Sequence, residues 1–434
     1  MRLQALILIS LFCSSFLSFA NSIDINELKT RLSKDVKCSN GNSYWKIQQL
    51  QVPRRTHSKP GFLNPQGKAV DSKESYRLRY SVYGCELGPK GSVVIVPGRG
   101  EGSVEFYETA LTLEGMGYGP IYVMDPRGQG FSPRLLDDQK GHLENFNHYI
   151  SDFEHLTKEV ITDLRKRGRS NQLLFYLSNS MGAAIGLGYF MRNKKNPYKA
   201  AAMLGPMIRI NYIAFNKKQP TWLNNLIYSE NGAILLATIK CFLGNCENYA
   251  DAKNFGAYKP GRRKFIANNE NKMTHSKSRY EYKTFLLDEF DWTKIKKQNF
   301  GSNENWQNLR IGGATYGWVL ASTYFLKYMK SEKGIKNLSN TPFNLIAGEN
   351  DNRIYRPYLD GTHDLSRIKK FCDSVNGSNT YKNKNLCTLT PIPNGFHELH
   401  KENEDIRNNV FNQIDLFFQN VGQKIQTQKL NASL

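Results

Sequence analysis

Past residue 20 the 434-residue chain has no apolar run of the roughly 18 residues that a membrane-crossing helix needs, which excludes a polytopic membrane protein. Acidic residues are scarce, 38 Asp and Glu against 59 Lys and Arg, leaving a formal net charge of +21. Such a surplus suits nucleic acid, an anionic membrane or plain solubility. No nucleic-acid module or stacking platform accompanies it, so no nucleic-acid partner is expected. No Cys-x-x-Cys pair and no His-rich cluster has the spacing of metal ligands. No Gly-Lys-Ser or Gly-Lys-Thr follows a glycine-rich turn, which argues against a phosphate loop. Neither a metal nor another cofactor is therefore expected. Internal repeats are lacking too.

What is present describes a folded, exported chain. Hydrophobic residues make up 40% and aromatics 12%, too much apolar material for a disordered protein. Met1-Arg2, the apolar run Leu3–Leu17 and the small residues Ser18 and Ala20 read as a secretory signal cut after Ala20. The expected destination is the periplasm or the outside of the cell. Cleavage removes Cys13 and leaves Cys38, Cys85, Cys241, Cys246, Cys372 and Cys387, an even set that suits disulfides. Closeness in sequence favours Cys241–Cys246 and Cys372–Cys387, which leaves Cys38–Cys85.

Residues 21–70 are polar and irregular and read as an N-terminal extension. From residue 71 to 206 buried strands alternate with helices. Tyr76–Tyr83, Ser92–Val96, Ile121–Met124, Leu173–Leu177 and Ala200–Leu204 read as strands. Val104–Gly115, residues 149–168 and Met181–Arg192 read as helices, the second from Phe153, Leu156, Val160 and Leu164 at helical spacing. This alternation implies a mostly parallel sheet flanked by helices. Residues 207–335, rich in Asn, Lys and aromatics, break the rhythm and read as an inserted cap. Strands at 343–347 and 386–392 and a helix at 405–418 resume it within 336–423, and 424–434 is left as a tail.

Leu177-Ser178-Asn179-Ser180-Met181-Gly182 follows a strand and opens a helix. A serine at that turn is held with its oxygen exposed, beside the unpaired N–H groups of a helix start. Ser178 stands where Gly-x-Ser-x-Gly has its first glycine. A serine nucleophile needs a base, and the base an orienting carboxylate, in the chain order Ser, acid, His. Asp351 follows the strand at 343–347 and His397 follows the strand at 386–392, which supplies that order. Glu349 is the alternative acid. Two backbone N–H groups should hold the oxyanion: that of Met181, and that of Arg99 in Pro97-Gly98-Arg99-Gly100-Glu101.

These segments resemble the α/β-hydrolase lipases that include bacterial lysophospholipases and monoacylglycerol lipases. The resemblance rests on Val93–Glu101, Asp125-Pro126-Arg127-Gly128-Gln129-Gly130-Phe131-Ser132, Gly141-His142 to Phe153, Ser178–Gly182 and Gly395-Phe396-His397-Glu398. It implies an α/β-hydrolase fold with Ser180 as nucleophile, His397 as base, Asp351 as acid, and Arg99 and Met181 as oxyanion donors. Pro97 stands where many relatives carry His. The implied substrate is a single-chain lipid, lysophospholipid or monoacylglycerol. A broader carboxylesterase, an acyltransferase, a peptidase and a non-catalytic binding protein of the same fold are the other readings.

In the cap, Trp222, Leu223, Leu226, Ile227, Ile234, Leu235 and Leu236 would line an acyl tunnel or form the cap's own core. Between Lys259 and Arg279 lie seven basic residues and one acid, Glu270, which would face anionic lipid headgroups or solvent.

Overall fold

The computed structural model describes residues 24–34, 36–39, 43–54, 75–210, 229–250, 273–300, 306, 308–350, 365–381 and 384–433. The signal segment, Asp351, the cap residues 211–228 and most of the basic run lie outside them.

Val93, Val94, Ile95 and Val96 are all buried, because alternate side chains of this strand enter two different cores. The same division holds along Ile121–Met124. The strands are β1 (Trp45–Pro53), β2 (Ser75–Tyr83), β3 (Gly91–Val96), β4 (Tyr118–Asp125), β5 (Leu174–Asn179), β6 (Tyr198–Leu204), β7 (Phe343–Gly348) and β8 (Cys387–Ile392). They form one eight-stranded sheet in the order β1-β2-β4-β3-β5-β6-β7-β8. The β1–β2 and β2–β4 pairs are antiparallel and the other five parallel.

Helices cover both faces. In chain order they are α1 (Ile25–Lys34), α2 (Tyr107–Gly115), α3 (Asn147–Lys166), α4 (Met181–Arg192), α5 (Glu230–Phe242), α6 (Lys277–Thr284), α7 (Thr293–Asn299), α8 (Tyr316–Met329), α9 (Glu332–Lys336), α10 (Leu365–Asn376) and α11 (Glu404–Ser433). Phe153, Leu156, Val160 and Leu164 of α3 enter one core, together with side chains of α4, α8 and α10. Val410, Phe411, Ile414 and Phe418 of α11 enter the other, with α1 and α2. The chain after β3 turns toward β4, whereas the chain after β5 turns toward β6. Between these two strand ends the sheet leaves the crevice in which open α/β folds place their ligands.

Three stretches differ from the sequence reading. The supposedly irregular extension contains α1 and the edge strand β1, and Arg127 ties that strand into the body. Its guanidinium grips Asp152 of α3 through Nε–Oδ2 (2.8 Å) and Nη2–Oδ1 (2.6 Å), and Nη2 also donates to the Pro53 carbonyl (2.9 Å). The closing helix α11 runs on through the expected tail. Between β6 and β7, α8 packs into the main core through Trp318, Ala321, Phe325 and Leu326. The disulfides join Cys38 to Cys85, Cys241 to Cys246 and Cys372 to Cys387.

At the end of β4 the buried Asp125 accepts both the N–H (2.6 Å) and the hydroxyl (2.7 Å) of Ser103. Gly130 is obligatory beside it: its φ is 56°, and an added Cβ would lie 1.9 Å from Asp125 Oδ1. Burial raises the Asp125 carboxyl to about 7, against a partial offset from these hydrogen bonds. The folded chain therefore keeps a proton that the unfolded chain has lost. This contribution is complete below about pH 4 and disappears as pH rises toward 7, a fall on the order of 4 kcal/mol. Urea unfolding across that range should show the decline in wild type and a flatter profile in Asp125→Asn.

Candidate active site

Ser180 is the turn between β5 and α4, with φ 50° and ψ −111°, a conformation non-glycine residues seldom adopt. Its N–H donates to the Leu204 carbonyl (2.8 Å), and its own carbonyl accepts from Ala183 and Met207 (both 3.0 Å). Strand β6 thus holds the turn from beneath. The turn is sharp because helix and strand approach closely: a Cβ on Gly182 would lie 2.0 Å from the Val96 carbonyl oxygen. Ser178 meets the requirement at the first glycine position as a small, buried strand residue. Met181 is the first residue of α4, so its N–H has no acceptor within the helix.

The loop after β3 closes over this turn. A Cβ on Gly98 would come within 3.1 Å of the Ser180 Cβ and 2.9 Å of Glu101 Oε2, so a side chain there would force its neighbours to shift. Arg99 sends its guanidinium away, to the Gly312 carbonyl (2.8 Å) and over the Trp318 ring, with its Cζ 5.1 Å from the ring centre. The backbone of the loop is clamped from two sides. Gln129 donates to the carbonyls of Gly98 (2.8 Å) and Glu101 (3.0 Å) and accepts from the Gly100 N–H (3.2 Å). The Glu101 carboxylate accepts from the Gly98 N–H (2.7 Å) and from Asn179 Nδ2 (2.9 Å).

Glu101 belongs to a buried ionic cluster. Lys401 Nζ reaches Glu101 and Glu105 at 2.8 Å each and Glu398 at 3.7 Å, while Lys283 of α6 pairs with Glu398. His400 stacks on Phe106 with ring centres 4.7 Å apart and puts Nε2 3.5 Å from Glu101. Burial alone would raise the Glu101 carboxyl, but Lys401, His400 and Lys283 together outweigh it and hold the group well below the usual carboxylate range. Burial also keeps His400 below its ordinary value, helped by Lys401. Glu101 is therefore an anion at neutral pH, which is the state that accepts two N–H groups at once.

His397 lies in the loop after β8 and is buried. A Cβ on Gly205, the residue after β6, would come within 2.9 Å of its Nδ1, and the glycine φ is 45°. Because Leu204 holds Ser180, the end of β6 lies between the serine turn and the histidine. The histidine loop is fixed by Phe396 N–H donating to Glu402 (2.8 Å), by Glu398 N–H donating to Met273 (2.7 Å), and by His275 stacked on Phe396. On the other side, Asn350 N–H donates to the Gly395 carbonyl (3.1 Å). Asp351 is the next residue and lies outside the described part. Glu349 is described, and its side chain is exposed.

Sequence reasoning missed Asn179, Glu101, Gln129, Gly205 and Lys401. Glu101 and Gln129 stood inside quoted motifs, so the signal was present but carried no role. Gly205 and Lys401 had none. Among the described residues no group of His, Cys, Asp and Glu is arranged to hold a metal, and no helix is long and apolar enough to cross a membrane.

The sheet, the strained serine turn and the crevice above β3 and β5 define the α/β-hydrolase fold. A protein family described as serine aminopeptidase, S33, matches residues 88–255. The probable lysophospholipase L2 of Haemophilus influenzae is 27% identical over 251 residues, 58% of this chain and 66% of that protein. Lysophospholipase L2 of Escherichia coli is 28% identical over 231 residues, covering 53% and 55%. The matched region thus spans somewhat under two thirds and about half of the lengths of these relatives. A soluble variant of monoglyceride lipase from Saccharomyces cerevisiae superposes with a TM-score of 0.53 at 17% identity, covering 81% of this chain and 94% of its own. A carboxyl esterase from Bacillus coagulans gives 0.53 at 14% identity, covering 86% and 98%. The chain is thus similar in sequence to lysophospholipases L2 and shares the α/β-hydrolase fold of lipases and esterases.

Two substitutions probe the supports of this site. Glu101→Gln removes the charge and sets an amide NH2 where Oε1 receives the Lys401 ammonium, and should lower kcat roughly tenfold or more with little change in KM. Gly205→Ala pushes on the His397 ring and should cost roughly 100-fold, the loss expected for an ångström-scale displacement. Steady-state kinetics on a soluble ester reads both, with circular dichroism to confirm folding.

Proposed function

We propose that the protein is an exported serine carboxylic-ester hydrolase that releases the fatty acid from lysophospholipid or monoacylglycerol. The observation that carries this reading is the strained turn at Ser180, set under the Gly98 loop and across the end of β6 from His397. In the proposed reaction the Ser180 hydroxyl attacks the ester carbonyl while His397 takes its proton. The N–H groups of Met181 and Arg99 receive the oxyanion. The alcohol leaves with the proton from His397, and water then adds to the acyl-serine to free the fatty acid and restore the hydroxyl.

Asp351 is the proposed acid. Asn350, the residue before it in sequence, donates to the Gly395 carbonyl of the His397 loop, whereas an orienting carboxylate as exposed as Glu349 would be screened by water. The lipid substrate rests on the lysophospholipase L2 relatives. Export is supported by the signal-like first twenty residues and the three disulfides.

Purified mature protein should release fatty acid from lysophosphatidylcholine or monoacylglycerol, and Ser180→Ala should abolish this while remaining folded. No release from either, with turnover of aminoacyl arylamides instead, would move the activity to a peptidase. Asp351→Asn should cost several orders of magnitude. If Glu349→Gln costs more, the acid is Glu349.

A further inference from the structure

Of the six large apolar side chains exposed among the described residues, five lie on α5 and the residue after it: Leu235, Leu236, Ile239, Phe242 and Leu243. Leu235 and Leu236 were read from the sequence as tunnel or core and are instead 62% and 41% exposed; Phe242 is 89% exposed. Spaced at i, i+1, i+4, i+7 and i+8, they occupy one side of the helix, while Ala233 and Ala237 are buried on the other, toward α8. Such a cluster marks an interaction surface, unlike the single exposed hydrophobes every protein carries.

The helix is firmly mounted. Ser229 caps its start by accepting the Gly232 N–H (3.0 Å), Glu230 pairs with Lys330, and Lys327 donates to Asn231 (2.9 Å). At its far end the Cys241–Cys246 disulfide closes a turn whose Cys246 and Asn248 carbonyls accept from Gly317 (2.8 Å) and Tyr316 (3.0 Å) of α8. The apolar face is therefore presented by a braced element.

Beside the start of α5 opens a cleft of about 590 Å³. Arg209, Lys327, Lys330, Arg367 and Lys370 line it, and its one carboxylate, Glu230, is the partner of Lys330. This is where the structure places cationic character next to apolar surface. The run at 259–279 does not supply it from its described end, because Arg279 is buried against Glu108 and Glu404 and Lys277 pairs with Glu281.

We propose that the outer face of α5 docks onto an anionic lipid bilayer, its apolar side chains entering the interface and the neighbouring cations meeting lipid phosphates. Apolar area and basic charge on one braced helix are the two terms that bind a peripheral protein to such a surface. The proposal takes its purpose from the lipase reading, since it would bring the crevice to a layer that holds single-chain lipid. Its test is independent of that reading.

Wild type, Phe242→Glu and Lys327→Gln/Lys370→Gln would be sedimented with vesicles of equal parts phosphatidylglycerol and phosphatidylcholine. Phe242→Glu should bind roughly tenfold or more weakly at every salt concentration, and the lysine variant more weakly in low salt only. Both should turn over a soluble short-chain ester like wild type, and both should lose rate on lysolipid embedded in the vesicles. Wild type that fails to sediment, or Phe242→Glu that binds as wild type does, overturns the proposal. A dimer in sedimentation velocity that Phe242→Glu dissolves, without vesicle binding, overturns it in favour of a second copy of the chain. If wild type binds vesicles but hydrolyses neither ester, the docking surface stands and the lipase reading falls.

Discussion

The carboxylate of Glu101 is where three distant stretches of chain meet. It takes the Gly98 N–H from its own loop, the Asn179 amide from the residue before the serine turn, and the Lys401 ammonium from just beyond the histidine loop. A buried anion with one fewer partner would carry a heavy desolvation cost, so the three stretches are bound to one arrangement. Gln129 holds the same loop from its opposite side through three hydrogen bonds to the backbone. The loop over Ser180 is therefore rigid for reasons of charge and hydrogen bonding, in a place where glycine alone would leave it loose.

The surrounding charges follow the same logic at larger scale. Arg279 joins Glu108 of α2 to Glu404 of α11, and Lys283 joins the same region through Glu398, so α6 is fastened to the body by buried ion pairs. Arg127 and Asp152 do the equivalent work at the sheet edge. A chain with so large a basic surplus spends part of it inside, where Arg127, Arg279, Arg310 and Lys401 each meet a carboxylate. The remainder is left to the surface and to the cleft beside α5.

Much of this was legible in the sequence. Val93–Val96 and Ile121–Met124 read as strands because a strand covered on both faces must be apolar at every position. Ser180 and His397 stood out because each follows a segment that reads as a strand, and Phe153 to Leu164 announced α3 by spacing. The edge strand β1 was not legible: Trp45–Pro53 alternates weakly, with Gln48 and Gln49 exposed, and its pairing depends on β2. Gly205 was equally silent, since nothing local says that a histidine nearly two hundred residues later will lie against it.

By itself the sequence determined the alternation of strands and helices, the order of the candidate nucleophile, acid and base, and the cysteines available for pairing. These are local quantities, set by period, turn chemistry and residue type within a few positions. Only the tertiary structure decided that Glu101 faces Lys401, that His397 rests on Gly205, and that the apolar residues of α5 face outward. Those outcomes depend on which elements the sheet brings side by side, and a helix has an inside only once something is packed against one of its faces.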